Sequence, residues 1–173
     1  MSILQFIIVA VHIFSAVTWI GGAIFLALVM VPVARGMDPP AMGLVFLRRA
    51  ATRFRGIAWV LLALLVVSGA LALEWRGIGF DRFNDEGFWS TEIGTALLVK
   101  IVLVGVLLVM SGFHDFVLGP RVAELIRQVG RGQPPPPSTV AARKRLVMLA
   151  RINLLIAIAT AVVGMMLVRG VPG

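Results

Sequence analysis

Four apolar runs, each near the length that crosses the hydrocarbon layer of a membrane, constrain this chain more than any other feature. Residues 1–34 contain no Asp, Glu, Lys or Arg, which places a first span at about 3–33. Further apolar runs lie at about 56–74, at about 93–116 with Lys100 inside it, and at about 146–168 with Arg151 near its start. A helix needs about 20 apolar residues to cross a bilayer core. In a chain of 173 residues, 60% apolar and 14% charged, one core cannot bury that much apolar surface, so lipid must act as solvent for the rest. The sequence therefore predicts a single all-α domain over 1–173, an integral membrane four-helix bundle. The first run lacks a basic leader and is too long for the apolar region of a cleaved signal peptide, so it reads as a span.

Charge fixes the expected orientation. Arg35, Arg48, Arg49, Arg53 and Arg55 against Asp38 alone fall between the first two spans, and Arg121, Arg127, Arg131, Arg143, Lys144, Arg145 and Arg151 against Asp115 and Glu124 between the last two. The middle connection is acidic, with Glu74, Asp81, Asp85, Glu86 and Glu92 against Arg76 and Arg82. Basic loops stay in the cytoplasm, so both termini and the acidic loop are expected outside, in a bacterial-type inner (plasma) membrane. The net charge of +8 suggests nucleic acid until its location in short loops between spans is seen; no nucleic-acid partner is expected. The expected partners are the bilayer and, beyond it, other membrane subunits or further copies of the chain. The absence of Cys removes disulfides, thiolate metal sites, iron–sulfur clusters and covalent c-type haem attachment.

Two connecting stretches carry separate readings. Residues 117–129 alternate apolar and basic positions at helical spacing, as the end of the third span or as an interfacial helix. The run Gly130 to Thr139 reads as an extended Pro-rich linker, with Ser138 or Thr139 as cap of the fourth helix.

Ionisable groups inside spans are costly and are functional candidates by default. His12 and Lys100 lie nine and seven residues from the outer edges of their spans, about 14 and 10 Å deep at 1.5 Å per residue. His114 lies about 32 Å from the same edge, so the two histidines are too far apart in depth to share one metal ion. Lys100, Val104, Leu107, Ser111 and His114 follow a 4-3-4-3 spacing along one helix face. The matching stripe on the first span is His12, Ser15 or Ala16, Trp19, Gly22 or Ala23, and Leu26, whose small residues permit close helix approach. Turning both stripes inward sets His12 beside Lys100, with His114 at the base of the same interior. The bland alternatives are a hydrogen-bonded His12, a Lys100 whose ammonium reaches the outer surface, and an anchoring His114. Trp19, Trp59, Trp75 and Trp89 read chiefly as interface or packing residues. Among the methionines, Met165 and Met166 alone reach the depth of His12.

The segment His12-Ile-Phe-Ser-Ala-Val-Thr-Trp19-Ile-Gly21-Gly22-Ala-Ile-Phe25 resembles the opening helix of the copper resistance protein D family. Gly94-Thr-Ala-Leu-Leu-Val-Lys100 resembles that family's later Gly-to-Lys segment. The His-to-Trp spacing and the helix-borne Lys also resemble the haem-binding bacterial protoporphyrinogen oxidases. The resemblance implies a haem b or copper site at His12 with Trp19 beside it, and the oxidases would add Lys100 as a catalytic partner.

Three functions follow as expectations. The first is a b-type haem protein with a redox role, His12 ligating iron in the outer half, Lys100 acting as second ligand or proton partner, and His114 lining the same interior. The second is copper binding or transport with His12, Met165 and Met166 as ligands, since thioethers suit Cu(I). The third is a non-catalytic subunit of a larger membrane complex.

Overall fold

The computed structural model describes residues 2–128 and 136–169. Among the described residues the regular structure is entirely helical, and four helices are long and apolar enough to cross a membrane: α1 (Ile3–Arg35), α2 (Pro40–Glu74), α3 (Glu92–Ile126) and α4 (Pro137–Leu167). Their contacts gather into two compact units, Met1–Gly94 and Thr95–Gly173. The first is built on the α1–α2 hairpin and the second on α3–α4.

Each rod outruns the apolar segment within it. A helix of 35 residues, such as α2, is about 52 Å long, against a hydrocarbon layer of about 30 Å. The span expected at 56–74 is accordingly the apolar part of a helix that begins at Pro40, because Ala, Met, Leu and Arg sustain helix outside lipid as well as inside it. The fourth helix likewise begins at Pro137, ahead of the apolar run that starts near 146 and within two residues of the expected caps. Residues 119–128 continue the third helix beyond its π-helical turn. Ser138 and Thr139 fall inside the first turn of α4 instead of capping it, and Thr139 is buried. The linker expected at 130–139 lies outside the described residues as far as 135.

Local chemistry explains the helix ends. Ser2 caps α1 in a reciprocal box: its hydroxyl accepts from the Gln5 N–H at 3.2 Å, and Gln5 Oε1 accepts from the Ser2 N–H at 2.8 Å. At the far end of α2, Gly77 adopts a φ of +71°. Ile78 N–H then bonds the Leu73 carbonyl and Gly77 N–H that of Glu74, the closure that a glycine in left-handed backbone permits. The acidic connection beyond it is ordered by Trp89, whose indole donates to the Phe83 carbonyl at 3.1 Å and packs against Phe83 and Phe88.

Both α1 and α3 contain a π-helical turn, Leu26–Met30 and Phe113–Leu118. Pro32 and Pro120 follow these turns by two positions. Proline has no N–H and its ring crowds the carbonyl one turn back; a wider i→i+5 turn relieves that conflict without ending the helix.

The α1–α2 hairpin closes on small residues. Ser15, Trp19 and Ala34 are buried on α1, and Gly43, Ala58, Leu62 and Ser68 on α2. The Phe54 ring fills the place where a side chain at Gly22 would stand. At Gly43 the neighbour is the Ala34 backbone itself. Outward-facing apolar residues such as Phe14 (71% exposed) and Val109 (72%) are what a lipid-solvated helix presents.

Candidate functional site

His12 projects from α1 onto the α2 backbone at Ser68 and Gly69. Its Nδ1 lies 2.9 Å from Ser68 Oγ, and its Cε1 is 3.2 Å from where a Cβ at residue 69 would be. Ser68 sends its own hydroxyl hydrogen back to the Leu64 carbonyl. A hydroxyl has one hydrogen to give, so towards His12 the Ser68 oxygen can only accept. Neutral His12 therefore carries its proton on Nδ1 and its lone pair on Nε2. Metal-ligating histidines are held this way, one nitrogen donating to a fixed acceptor while the other faces the metal.

The stripe below His12 is the packing face of α1. Of the two options at each level, the structure selects Ser15 over Ala16 as the buried one, keeps Trp19 at 7% exposure, and sets Gly22 against Phe54. Trp19 thus lies two turns further along the face that carries His12. Beside this face runs an open apolar groove of about 360 Å³, walled by residues including Phe6, Val11, Phe14 and Leu61, with Ser15 and Thr18 as its polar atoms.

In the second unit, Lys100 is partly buried and lies over α4 at Gly164: Nζ is 3.5 Å, and Cε 3.9 Å, from the point where a Cβ at residue 164 would stand. A Cβ there would meet the stem in ordinary van der Waals contact, so the amine lies directly against the α4 backbone. Met165 and Met166 follow directly; Met165 is 60% exposed and Met166 partly buried. The stripe expected on α3 is its buried face, since Leu107 and Ser111 are 4% and 6% exposed. Ser111 Oγ accepts from Asn153 Nδ2 at 2.8 Å, while Asn153 Oδ1 is buried without a hydrogen-bond partner. His114 sits in the π-helical turn with Nδ1 2.8 Å from Asp115 Oδ1, an ion pair when the imidazole is protonated.

Among the described residues, no three of His, Cys, Asp and Glu gather into a metal site. A soft ion needs no such group, because imidazole and thioether donors serve Cu(I). The structure adds residues that the sequence had not singled out: Ser68, Gly69, Gly164 and Asn153. The run Val66-Val67-Ser68-Gly69 held a usable signal, a hydroxyl and a glycine together in an apolar span at about the depth of His12.

The copper resistance protein D family model matches residues 48–167. The match includes Ser68, Lys100, His114, Gly164, Met165 and Met166, and begins beyond His12 and Trp19. No curated protein and no solved structure matches the chain.

Proposed function

The chain belongs to the copper resistance protein D family, and on that premise we propose that this multi-pass membrane protein binds or carries copper, with His12 Nε2 receiving the ion. The observation that carries the proposal is the Ser68 hydrogen bond, which holds the imidazole in the tautomer whose lone pair is on Nε2. Copper is cargo here. Imidazole and thioether donors suit Cu(I); the second unit carries thioethers of its own at Met165 and Met166. Lys100 acts as a nitrogen donor or proton carrier, both of which require it to reach the neutral amine. A haem b held by His12 would use the same nitrogen; the family assignment puts copper ahead of it.

The charge pattern sets the direction. With the basic loops in the cytoplasm of a plasma membrane, His12 lies within reach of the outer side. Reporter fusions at either terminus should then read outside, and one in the 130–138 connection inside; the reverse would overturn that orientation.

The deciding measurement is Cu(I) binding by the purified protein in detergent, read by competition with a chromophoric chelator, alongside an optical spectrum. Copper bound by the wild type and lost in His12→Ala is the expected result. Copper binding unchanged in His12→Ala, or a Soret band that disappears in it, would overturn the copper assignment to His12.

A further inference from the structure

We infer that the chain is one helical hairpin used twice, and that Lys100 occupies in the second hairpin the metal-donor position that His12 occupies in the first. The inference rests on the proposed role of His12 and extends it to a second position, argued from a shared register.

The two π-helical turns are closed by equivalent hydrogen bonds. Val31 N–H bonds the Leu26 carbonyl, and Gly119 N–H bonds the His114 carbonyl. Donor and acceptor are each displaced by 88 positions: 119 − 31 = 88 and 114 − 26 = 88. The prolines they accommodate, Pro32 and Pro120, are displaced by the same 88. So are Phe25 and Phe113, and the buried pairs Trp19 with Leu107 and Ala34 with Val122. Carried back along the helices, this register sets His12 on Lys100, since 100 − 12 = 88.

The second helices repeat independently. Gly69, against the His12 ring, and Gly164, against the Lys100 stem, are 95 positions apart. The buried pair Leu62 and Ala157, and the basic pairs Arg48-Arg49 and Arg143-Lys144, share that displacement. In each hairpin a nitrogen-bearing side chain on the first helix therefore lies on a glycine of the second. Weak internal symmetry of this kind marks membrane proteins built from repeats, whose ligand sites are formed at corresponding positions.

One substitution separates the two positions. The counterpart of Ser68 is Val163 (163 − 68 = 95), so the second hairpin lacks the hydroxyl that fixes a donor's tautomer, and it carries an amine in place of an imidazole. An amine ligates only after shedding its proton. Position 100 is a donor position that competes with protons for a soft monovalent cation such as Cu(I).

Transplanting the first site onto the second tests this. In a His12→Ala background, Lys100→His with Val163→Ser should restore Cu(I) affinity to within about tenfold of the wild type, the lower range of effects attributable to outer-shell partners. Val163→Ser alone should restore none. A fold-competent triple variant that binds no more copper than His12→Ala would overturn the inference. Loss of copper in His12→Ala tests the proposed role of His12 separately. Should that role fail, histidine ¹⁵N NMR of the Lys100→His, Val163→Ser protein without metal still decides the register. A second imidazole protonated on Nδ1, as His12 is, supports the repeat; protonation on Nε2 overturns it.

Discussion

Ser68 Oγ lies 2.9 Å from His12 Nδ1 and donates its own hydrogen bond to the Leu64 carbonyl, so one hydroxyl in α2 favours Nε2 of His12 as the nitrogen that can act as a ligand. Removing it leaves His12 in place without the acceptor at its Nδ1. Ser68→Ala should weaken Cu(I) binding by about 10- to 100-fold, the usual cost of losing an outer-shell partner. Ser68→Thr keeps the hydroxyl and should lose far less. Equal losses in the two variants, measured by chelator competition, would show that bulk at residue 68 matters rather than the hydrogen bond.

Three glycines of the first hairpin should respond to alanine in a fixed order. Nothing lies within 4 Å of a Cβ added at Gly21, and an alanine there should stabilise the helix by roughly 0.5–1 kcal/mol. At Gly22 the obstacle is the Phe54 ring, a side chain that can turn aside at some cost. At Gly43 it is the Ala34 carbonyl, which cannot move without separating the helices. Gly43→Ala should therefore be the most damaging, at about the upper end of the 1–3 kcal/mol typical of overpacking. Thermal unfolding in detergent checks the ranking; a neutral Gly43→Ala would refute the backbone contact.

The parts of this fold that were legible in the sequence are those governed by one helix at a time. Hydropathy marked four spans, and a 3.6-residue repeat was enough to pick out His12, Trp19, Leu107 and Ser111 as inward positions. The choice between Ser15 and Ala16 was not legible, because both lie within the same stripe and only the packing of α2 decides. Ser68 stayed hidden for a related reason: its role depends on which face of α2 meets His12, a pairing that no single-helix period encodes. The helix overhang at 40–55 was hidden because hydropathy reports the solvent around a helix and not where the helix stops, whereas Ser138 and Thr139 marked the start of the fourth helix to within two residues. The π-helical turns were signalled by Pro32 and Pro120, but a proline alone predicts a kink or an end as readily as a bulge.

Ser111 and Asn153 set up a different contrast. Their hydrogen bond joins α3 to α4, yet it leaves the Asn153 Oδ1 acceptor buried and unsatisfied. Ser111→Ala orphans the Nδ2 donor as well and should destabilise the protein by about 1–3 kcal/mol. Asn153→Leu removes the orphaned acceptor together with the bond, and should cost clearly less. Denaturation in mixed micelles provides the readout. A Leu variant less stable than the Ser111→Ala protein would mean that Oδ1 is satisfied in the membrane.

Lys100 offers the sharpest test of function against anchoring, because its amine is packed against α4 at Gly164. A lysine that merely reached for the outer surface could be replaced by arginine, which also carries a long apolar stem and a permanent charge. As a metal donor or proton carrier it must reach the neutral amine, a state arginine essentially never adopts. Lys100→Arg should then impair copper binding and copper tolerance of cells about as much as Lys100→Met, with both proteins folded and inserted. Gly164→Leu should mimic them without touching the amine, since its side chain would take the place of Lys100 Nζ, now 3.5 Å from the missing Cβ. Activity retained in Lys100→Arg but lost in Lys100→Met would show that a fixed charge suffices at this position. Full activity in Lys100→Arg, Lys100→Met and Gly164→Leu would remove Lys100 from the mechanism and leave His12 to act with other donors.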